Sequence, residues 1–279
     1  RIKILRFNGE RAKRLRDYIS KILVVLYHPL DLYIINEGPI YRRKFINIIL
    51  SKTDINYFVC LRDYFKLLDQ KRAALKQYKD GKIKFDIIDL LNQRLIDFAA
   101  YIVAKRAEFS NSYFSILQTK FNAIMARDYK LKITYKTGCA EIVNNKTCGF
   151  DSLKSEISAN FSKALGQEIK YCRILKGIQT DEFNFECNGY PIKYFFSQGE
   201  KKGFALGLKL SEIEYIRDLT GMYPIALLDD IFSELDERRQ KYLIQELSRG
   251  FQTIITDTTF HPSLNLLTNF RKIALATPQ

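Results

Sequence analysis

Residues 225 to 230 read Ile-Ala-Leu-Leu-Asp-Asp, an apolar run that stops on two adjacent carboxylates. Its flanks narrow the choice of fold more than any other stretch does. Upstream, a helical pattern runs from about Gly199 to Leu219 and is stopped by Gly221 and Pro224. Downstream, a helical pattern over Asp236 to Ser248 stops at Gly250, and Thr253 to Thr256 follows as a second strand. Strand, helix, strand at this spacing makes a parallel βαβ unit, so the chain is α/β.

An apolar strand buried on both faces needs no charge at its end for stability. Ligands of α/β folds bind outside the carboxyl ends of the parallel strands, where these two carboxylates fall. Asp229 is therefore a candidate Mg²⁺ ligand, directly or through water, because hard oxygen donors suit that ion. Asp230 is a candidate catalytic group that orients or deprotonates an attacking water while the metal offsets charge on phosphates. The plainer alternative is a strand exit with a helix-capping acid.

Two neighbours sharpen the choice. Ser197-Gln198-Gly199 opens the upstream helix, where a glycine lets the backbone approach a phosphate and the helix amino end carries partial positive charge. Lys201 and Lys202 add positive potential there, although Ser197 would also serve as a simple helix cap. Ser233 and Asp236 form an S-x-x-D capping-type pair ahead of Leu243, Ile244 and Leu247.

The remainder reads coarsely. Residues 1 to 36 suggest a strand over Ile2 to Phe7, an Asn8-Gly9 turn and an apolar run from Ile22 to Tyr27, broken at His28-Pro29. Leu61, Phe65, Leu68, Arg72 and Leu75, then Leu91, Leu95, Phe98, Ile102, Lys105 and Phe109, step by four and three. That rhythm predicts two helices packed along each other, joined by a turn at Lys79 to Lys82, with Arg72 and Lys105 interrupting the seam. Tyr129 to Tyr135 alternates as a strand, Ser152 to Leu165 suits a helix, and Phe183 to Phe195 suits a β-hairpin around Asn188-Gly189. The predicted organisation is residues 1–38 in a head lobe, 39–128 as a helical arm and 129–279 as the rest of the head.

Composition bounds the partners. Net charge is +14, from 45 basic against 31 acidic residues, which favours a polyanion, with nucleic acid ahead of a membrane surface. A nucleic-acid complex would weaken steeply with salt as displaced counterions lose their value. The densest basic patch is Arg11-Ala12-Lys13-Arg14-Leu15-Arg16, and a solvated face explains it equally. No apolar run approaches the ~20 residues that span a bilayer, and nothing resembles a secretion leader, so a soluble protein is expected. Five scattered cysteines without a C-x-x-C pair fit buried thiols in a reducing cytoplasm. Only His28 and His261 exist, which excludes a multi-histidine metal centre, and His28 beside a proline reads as structural.

Taken in order, Ser-Gln-Gly-Glu from Ser197 and Leu-Leu-Asp-Asp-Ile-Phe-Ser-Glu-Leu-Asp-Glu-Arg-Arg from Leu227 resemble the signature loop, Walker B strand and D-loop of an ABC-type ATPase head. More narrowly, they resemble the RecF family of bacterial recombination mediators, of the ABC/SMC class. Pro29-Leu30-Asp31-Leu32, Gly38-Pro39 and Arg42-Arg43-Lys44-Phe45 are similar to that family's P-x-D-L and G-P-x-x-R-R-x-F stretch. No G-x-x-x-x-G-K-S/T phosphate loop occurs in the 279 residues. The chain opens at Arg1 rather than on a methionine, so the expectation is a fragment or processed chain that has lost this loop and does not hold ATP firmly alone. Gly177-Ile178-Gln179-Thr180-Asp181-Glu182 stands where the family usually has G-P-H-R-D-D, which puts that loop's role in doubt.

The resemblance implies an incomplete ABC-type ATPase head with an inserted α-helical arm. It implies ATP with Mg²⁺ as cofactors and an ATP-dependent homodimer. In that dimer Ser197, Gln198, Gly199, Ser233 and Asp236 reach a nucleotide bound by the opposite subunit. It further implies binding to DNA at single-strand/double-strand junctions, and cooperation with RecO and RecR in loading RecA. Candidate DNA contacts are Arg42, Arg43, Lys201 and Lys202, with Arg42 and Arg43 alternatively pairing with acids at the lobe junction. A rival reading is a truncated or degenerate relative that binds DNA without an ATPase cycle. A transporter ATPase subunit fits less well, given the arm ahead of Ser197 and no histidine directly after Thr253 to Thr256.

Overall fold

The computed structural model describes residues 6–7, 9–11, 21–147, 149–267 and 270–273. Strands β1 (Arg6–Phe7) and β2 (Glu10–Arg11) pair antiparallel across Gly9, whose φ of +84° is open to glycine at no steric cost. The remaining strand expected from Ile2, and the basic run Lys13 to Arg16, lie outside the described residues.

From there the order is β3 (Val24–Tyr27), a one-turn helix α1 (Tyr33–Asn36), α2 (Pro39–Thr53), α3 (Ile55–Lys79) and α4 (Phe85–Met125). Next come β4 (Leu131–Lys136), α5 (Phe150–Tyr171), β5 (Glu182–Cys187), β6 (Tyr190–Pro191) and the short α6 (Ile192–Phe195). Then follow α7 (Gln198–Thr220), β7 (Ile225–Asp229), α8 (Glu237–Leu247) and β8 (Thr253–Thr256). The expected hairpin thus keeps only two residues of its second strand, because Pro191 has no N–H to extend the ladder and the chain turns into α6.

Strands β3, β7 and β8 form a parallel sheet with β7 in the centre. Val25, Tyr27, Ala226 and Leu228 are buried on one face, where α7 packs on β3. The alternate residues Leu26 and Ile254 are 49% and 52% exposed. This corrects the expectation of burial on both faces: with a side-chain period of two, only one face of this sheet is fully covered by the described residues. Strands β4, β5 and β6 form a second, antiparallel sheet, in which Leu131, Ile133 and Tyr135 point inward.

Helix α7 lies deep, buried nearly continuously from Gly203 to Ile216, between β3 and α4. A Cβ at Gly203 would lie 2.9 Å from Met125 Sδ, so the bare backbone is what lets α7 approach α4 this closely. Phe204, Leu206 and Leu208 are each almost wholly removed from water there, contributing roughly 1.5–3 kcal/mol apiece.

Helices α3 and α4 form the expected hairpin, turning at Gly81 with φ +72°. Its seam is shifted by one residue at several positions. Tyr64, Lys71 and Arg106 are buried where the apolar count selected Phe65, Arg72 and Lys105. Each of the three carries a polar end that finds a partner. Tyr64 donates to Gln179 Oε1 at 3.1 Å, Lys71 pairs with Glu168 at 2.6 Å, and Arg106 pairs with Asp181. Counting apolar residues cannot see such positions.

Arg106 is completely buried. Besides Asp181 it donates to the Tyr57 hydroxyl at 3.0 Å, to Asn47 Oδ1 at 2.8 Å and to the Ile178 carbonyl at 3.1 Å. Burial works against its charge, but the Tyr57 oxygen and the Asp181 carboxylate outweigh it and push its pKa up. Asp181 also accepts from Tyr135 Oη at 2.6 Å and Thr137 Oγ1 at 2.5 Å. The loop from Gly177 to Glu182 is therefore an anchor between α4 and the antiparallel sheet. Gly177 has φ +146°, and a Cβ there would collide with Tyr64 Oη at 2.3 Å. The residues that depart from the family pattern are accommodated: Ile178 is buried, Gln179 meets Tyr64, and Thr180 Oγ1 donates to the Gly177 carbonyl.

Candidate functional site

Parallel register carries three strand ends to one edge. Tyr27 pairs with Leu228, and Asp229 pairs with Thr256, so His28, Asp229 and Thr256 meet where β3, β7 and β8 stop. Thr256 Oγ1 donates to Asp229 Oδ1 at 2.5 Å, and His28 Nε2 lies 3.4 Å from Asp229 Oδ2. His28 Nδ1 accepts from the Leu30 N–H at 3.0 Å, so the proton of a neutral ring sits on Nε2, facing the carboxylate. The structural assignment of His28 is thus half of the account: it caps the turn at Pro29, and it also borders Asp229. Thr256 and His28 were missed as neighbours because only register reveals them.

Asp230 leaves the strand with φ +49°, a left-handed conformation that aspartate tolerates better than most side chains. Its N–H donates to the Thr256 carbonyl at 2.9 Å, closing the end of the β7–β8 ladder. Ser233 Oγ lies 2.9 Å from Asp230 Oδ1 and 3.1 Å from the Asp230 carbonyl oxygen. Ser233 is therefore bound back to Asp230, whereas Asp236 alone caps α8, accepting from the Arg239 N–H at 2.9 Å. The expected S-x-x-D cap divides between these two jobs.

Ser197 forms a full capping box at the start of α7. The Glu200 N–H reaches Ser197 Oγ at 3.3 Å, and the Ser197 N–H reaches Glu200 Oε2 at 2.8 Å. Tyr129 Oη adds a 2.6 Å bond to Glu200 Oε1. Burial opposes ionisation of Glu200, but the bonds from Tyr129 and Ser197 outweigh it and hold the carboxyl below its usual range. A lowered folded-state pKa means that this support is complete above the ordinary carboxylate pKa and is lost as pH falls through the lowered value. The hydrogen-exchange protection factor of the Glu200 amide should accordingly drop in acid in the parent chain and be pH-independent in Glu200→Gln. An equal acid loss in both chains would dismiss this account.

The N–H groups of Gln198 and Gly199 belong to the first turn of α7 and have no carbonyl partner within that helix. A Cβ at Gly199 would lie 3.5 Å from Arg239 Nη1, and that nitrogen is 3.5 Å from Asp236 Oδ2. Arg239 thereby lies beside the Ser197 turn at the start of α8, a proximity that sequence spacing did not suggest. Among the described residues, no hydrogen bond or ion pair joins Ser197, Gln198 or Gly199 to Asp229 or Asp230.

Of the candidate DNA contacts, Lys201 and Lys202 share the start of α7 with the Ser197 turn, whereas Arg42 and Arg43 belong to α2. Lys201 and Lys202 are half-buried on the first turn of α7. Arg42 donates to the Glu37 carbonyl at 2.9 Å, and Arg43 to the Asp181 carbonyl at 2.7 Å. Burial lowers the pKa of both guanidinium groups. Their partners are backbone carbonyls rather than the acids considered from the sequence.

The donor set suits Mg²⁺ held jointly with a phosphate ligand. Among the described residues there is no cluster of three or more His, Cys, Asp or Glu that could hold a metal by itself. Mg²⁺ commonly takes one or two carboxylates and completes its shell with water and phosphate oxygens, and Asp229 falls within that number.

A central parallel strand ending in paired carboxylates, a capped glycine-containing helix start and a helical hairpin arm together define an α/β ABC-type ATPase head. No family model matches the chain. It is 33% identical over 263 residues to the DNA replication and repair protein RecF of Thermoanaerobacter sp. (strain X514), spanning 92% of this chain and 69% of that protein. With RecF of Ruminiclostridium cellulolyticum (strain ATCC 35319) identity is 30% over 274 residues, or 97% of this chain and 73% of the relative. The chain belongs to the RecF family. The solved structure of the recombination mediator RecF with ATPrS, from the RecFOR pathway, superposes with a TM-score of 0.80 at 30% identity over 93% of this chain and 68% of that one. Its ATP counterpart gives 0.80 at 31% identity. Among the described residues no helix is long and apolar enough to cross a membrane.

Proposed function

We propose that this chain is the nucleotide-closing part of an ATP-gated DNA clamp in recombinational repair. Residues 1–38 and 129–279 belong to the head in this reading, and 39–128 form the arm. The observation that carries it is the placement of Asp229 and Asp230 at the carboxyl edge of the central parallel strand, without a bond to the Ser197 turn. A turn whose first N–H groups have no partner within the helix, and which has no bond to the carboxylates, is suited to closing over a nucleotide held by another copy.

Bound Mg²⁺ would offset negative charge on the phosphates. Asp229 would hold it, directly or through water, with Thr256 fixing one carboxylate oxygen. Asp230 would orient or deprotonate the attacking water, and Ser233 would fix the carboxylate that does so. Gln198 and Gly199 would offer N–H groups to the phosphates of the opposite subunit, beside Ser197, Lys201 and Lys202, with Asp236 bordering the same interface. Slow hydrolysis would then release the dimer from DNA. The net charge of +14 supports a polyanionic partner, with Arg42 and Arg43 as further candidates. The RecFOR pathway named for the solved relatives supports RecO and RecR as partners, and RecA loading at junction DNA is what the family resemblance adds to this reading. A soluble cytoplasmic protein fits that role.

Complementation in the intact protein tests the arrangement. Gly199→Glu keeps the fold, since a Cβ there meets only an ordinary 3.5 Å contact and a carboxylate suits a helix start, but it repels a triphosphate. Neither Gly199→Glu nor Asp230→Asn should hydrolyse ATP alone, whereas their mixture should regain turnover. That heterodimer holds one site with both parts unaltered. A mixture as inactive as its components removes the in-trans assignment.

A further inference from the structure

Helices α2 and α3 are joined by Asp54 alone, which caps α3 by accepting from the N–H groups of Asn56 and Tyr57. They diverge from that corner and leave a groove of about 690 Å³. Neither aspartate of the candidate site lines it, nor does the Ser197 turn. Its walls are Ile40 and Ile48 from α2 and Phe58, Leu61 and Phe65 from α3. The spacings of eight, and of three and four, put each set on one helix face. Ile40 is 64% exposed, Ile48 43% and Phe65 39%, so this apolar surface faces water.

The groove is pre-formed. Asn47 is gripped by the Tyr57 hydroxyl at 2.7 Å and by Arg106 at 2.8 Å, and Gln179 at the rim is held by Tyr64. A rigid receptor spends little ordering entropy on binding. Its charge has one sign: Arg43, Lys44 and Lys52 line it, and no lining residue bears a carboxylate. Lys52 is neutralised by Glu212 at 2.7 Å, and Arg43 gives a hydrogen bond to a carbonyl. Lys44 has no hydrogen bond or ion pair among the described residues.

We propose that this groove docks an amphipathic helix of another protein, with apolar anchors on one face and carboxylates beside them. Two helix faces opening as a wedge take a helix at i, i+3, i+7 spacing. Ile40 to Ile48 spans ~12 Å, a little over two turns. A nucleic-acid backbone would leave the isoleucines bare, and a second copy of this chain would bring its own charge of +14 against the basic rim. The proposal is independent of the nucleotide reading, so neither stands or falls with the other.

The test is selection of displayed random peptides of ~15 residues, about four helical turns, on the intact folded protein. Enriched sequences should carry apolar residues at helical spacing flanked by Asp or Glu. A fluorescent consensus peptide should lose about tenfold or more in affinity for Ile40→Asp and for Ile48→Asp. Both side chains are exposed, so these variants stay folded. Lys44→Glu should weaken the peptide several-fold and be rescued by a peptide whose carboxylates are changed to lysine. No enrichment, enrichment without carboxylates, or unchanged affinity in both isoleucine variants overturns the proposal. Displacement of the peptide by single-stranded DNA, or self-association abolished by Ile48→Asp, would reassign the groove and overturn it equally.

Discussion

Asp181→Ala should unfold about 3–5 kcal/mol more easily than the parent, because it strands the buried Arg106 charge and leaves the hydroxyls of Tyr135 and Thr137 without their acceptor. For a chain of this size the melting temperature should fall on the order of 10 °C. The size of the effect follows from placement rather than from ion-pair strength. Two charges removed from water are sustained only by each other and by the hydrogen bonds around them, so removing one leaves the full desolvation cost of the other. Arg106→Met in the Asp181→Ala background should recover part of the loss, since it removes the stranded charge while filling most of the volume. Differential scanning calorimetry of the parent and the two variants decides the matter. A single variant melting with the parent would show that the Gly177 to Glu182 loop does not anchor the arm to the head.

Asp230→Asn in the intact protein should cut ATP turnover by roughly 10²–10⁴-fold, the span ordinarily contributed by a positioned general base. ATP-driven dimerisation should persist. Asparagine tolerates the left-handed φ of +49° nearly as well as aspartate, and its side-chain oxygen can still accept from Ser233 Oγ. The substitution is therefore close to isosteric and removes basicity without breaking the turn. Alanine would confound the two effects, because a side chain with no polar atom pays backbone strain at this φ. Phosphate release and sedimentation velocity separate the outcomes. Unchanged turnover takes Asp230 out of the mechanism, and lost dimerisation would make it a structural element of the interface.

Much of this was legible beforehand, for identifiable reasons. The order of β7, α8 and β8 follows from local signals: an apolar run, a cap at Asp236, a stop at Gly250 and a second apolar run. The boundaries of α7 follow from Ser197 and Gly221, since capping is a property of neighbouring residues. The paired carboxylates at a strand end were equally plain. The seam of the arm was not, because Tyr64, Lys71 and Arg106 occupy core positions as polar residues, and their partners lie roughly a hundred positions away along the chain.

Local order, capping and the presence of Asp229, Asp230 and the Ser197 turn are written in the amino-acid sequence, because each depends on residues within a few positions of one another. Only the tertiary structure decided that His28 and Thr256 flank Asp229, that Arg239 lies beside Gly199, and that Asp181 serves the core rather than the surface. The physical reason is common to all three. Strand register and helix packing select which distant side chains meet, and the energy of a polar group depends on whom it meets and how much water remains.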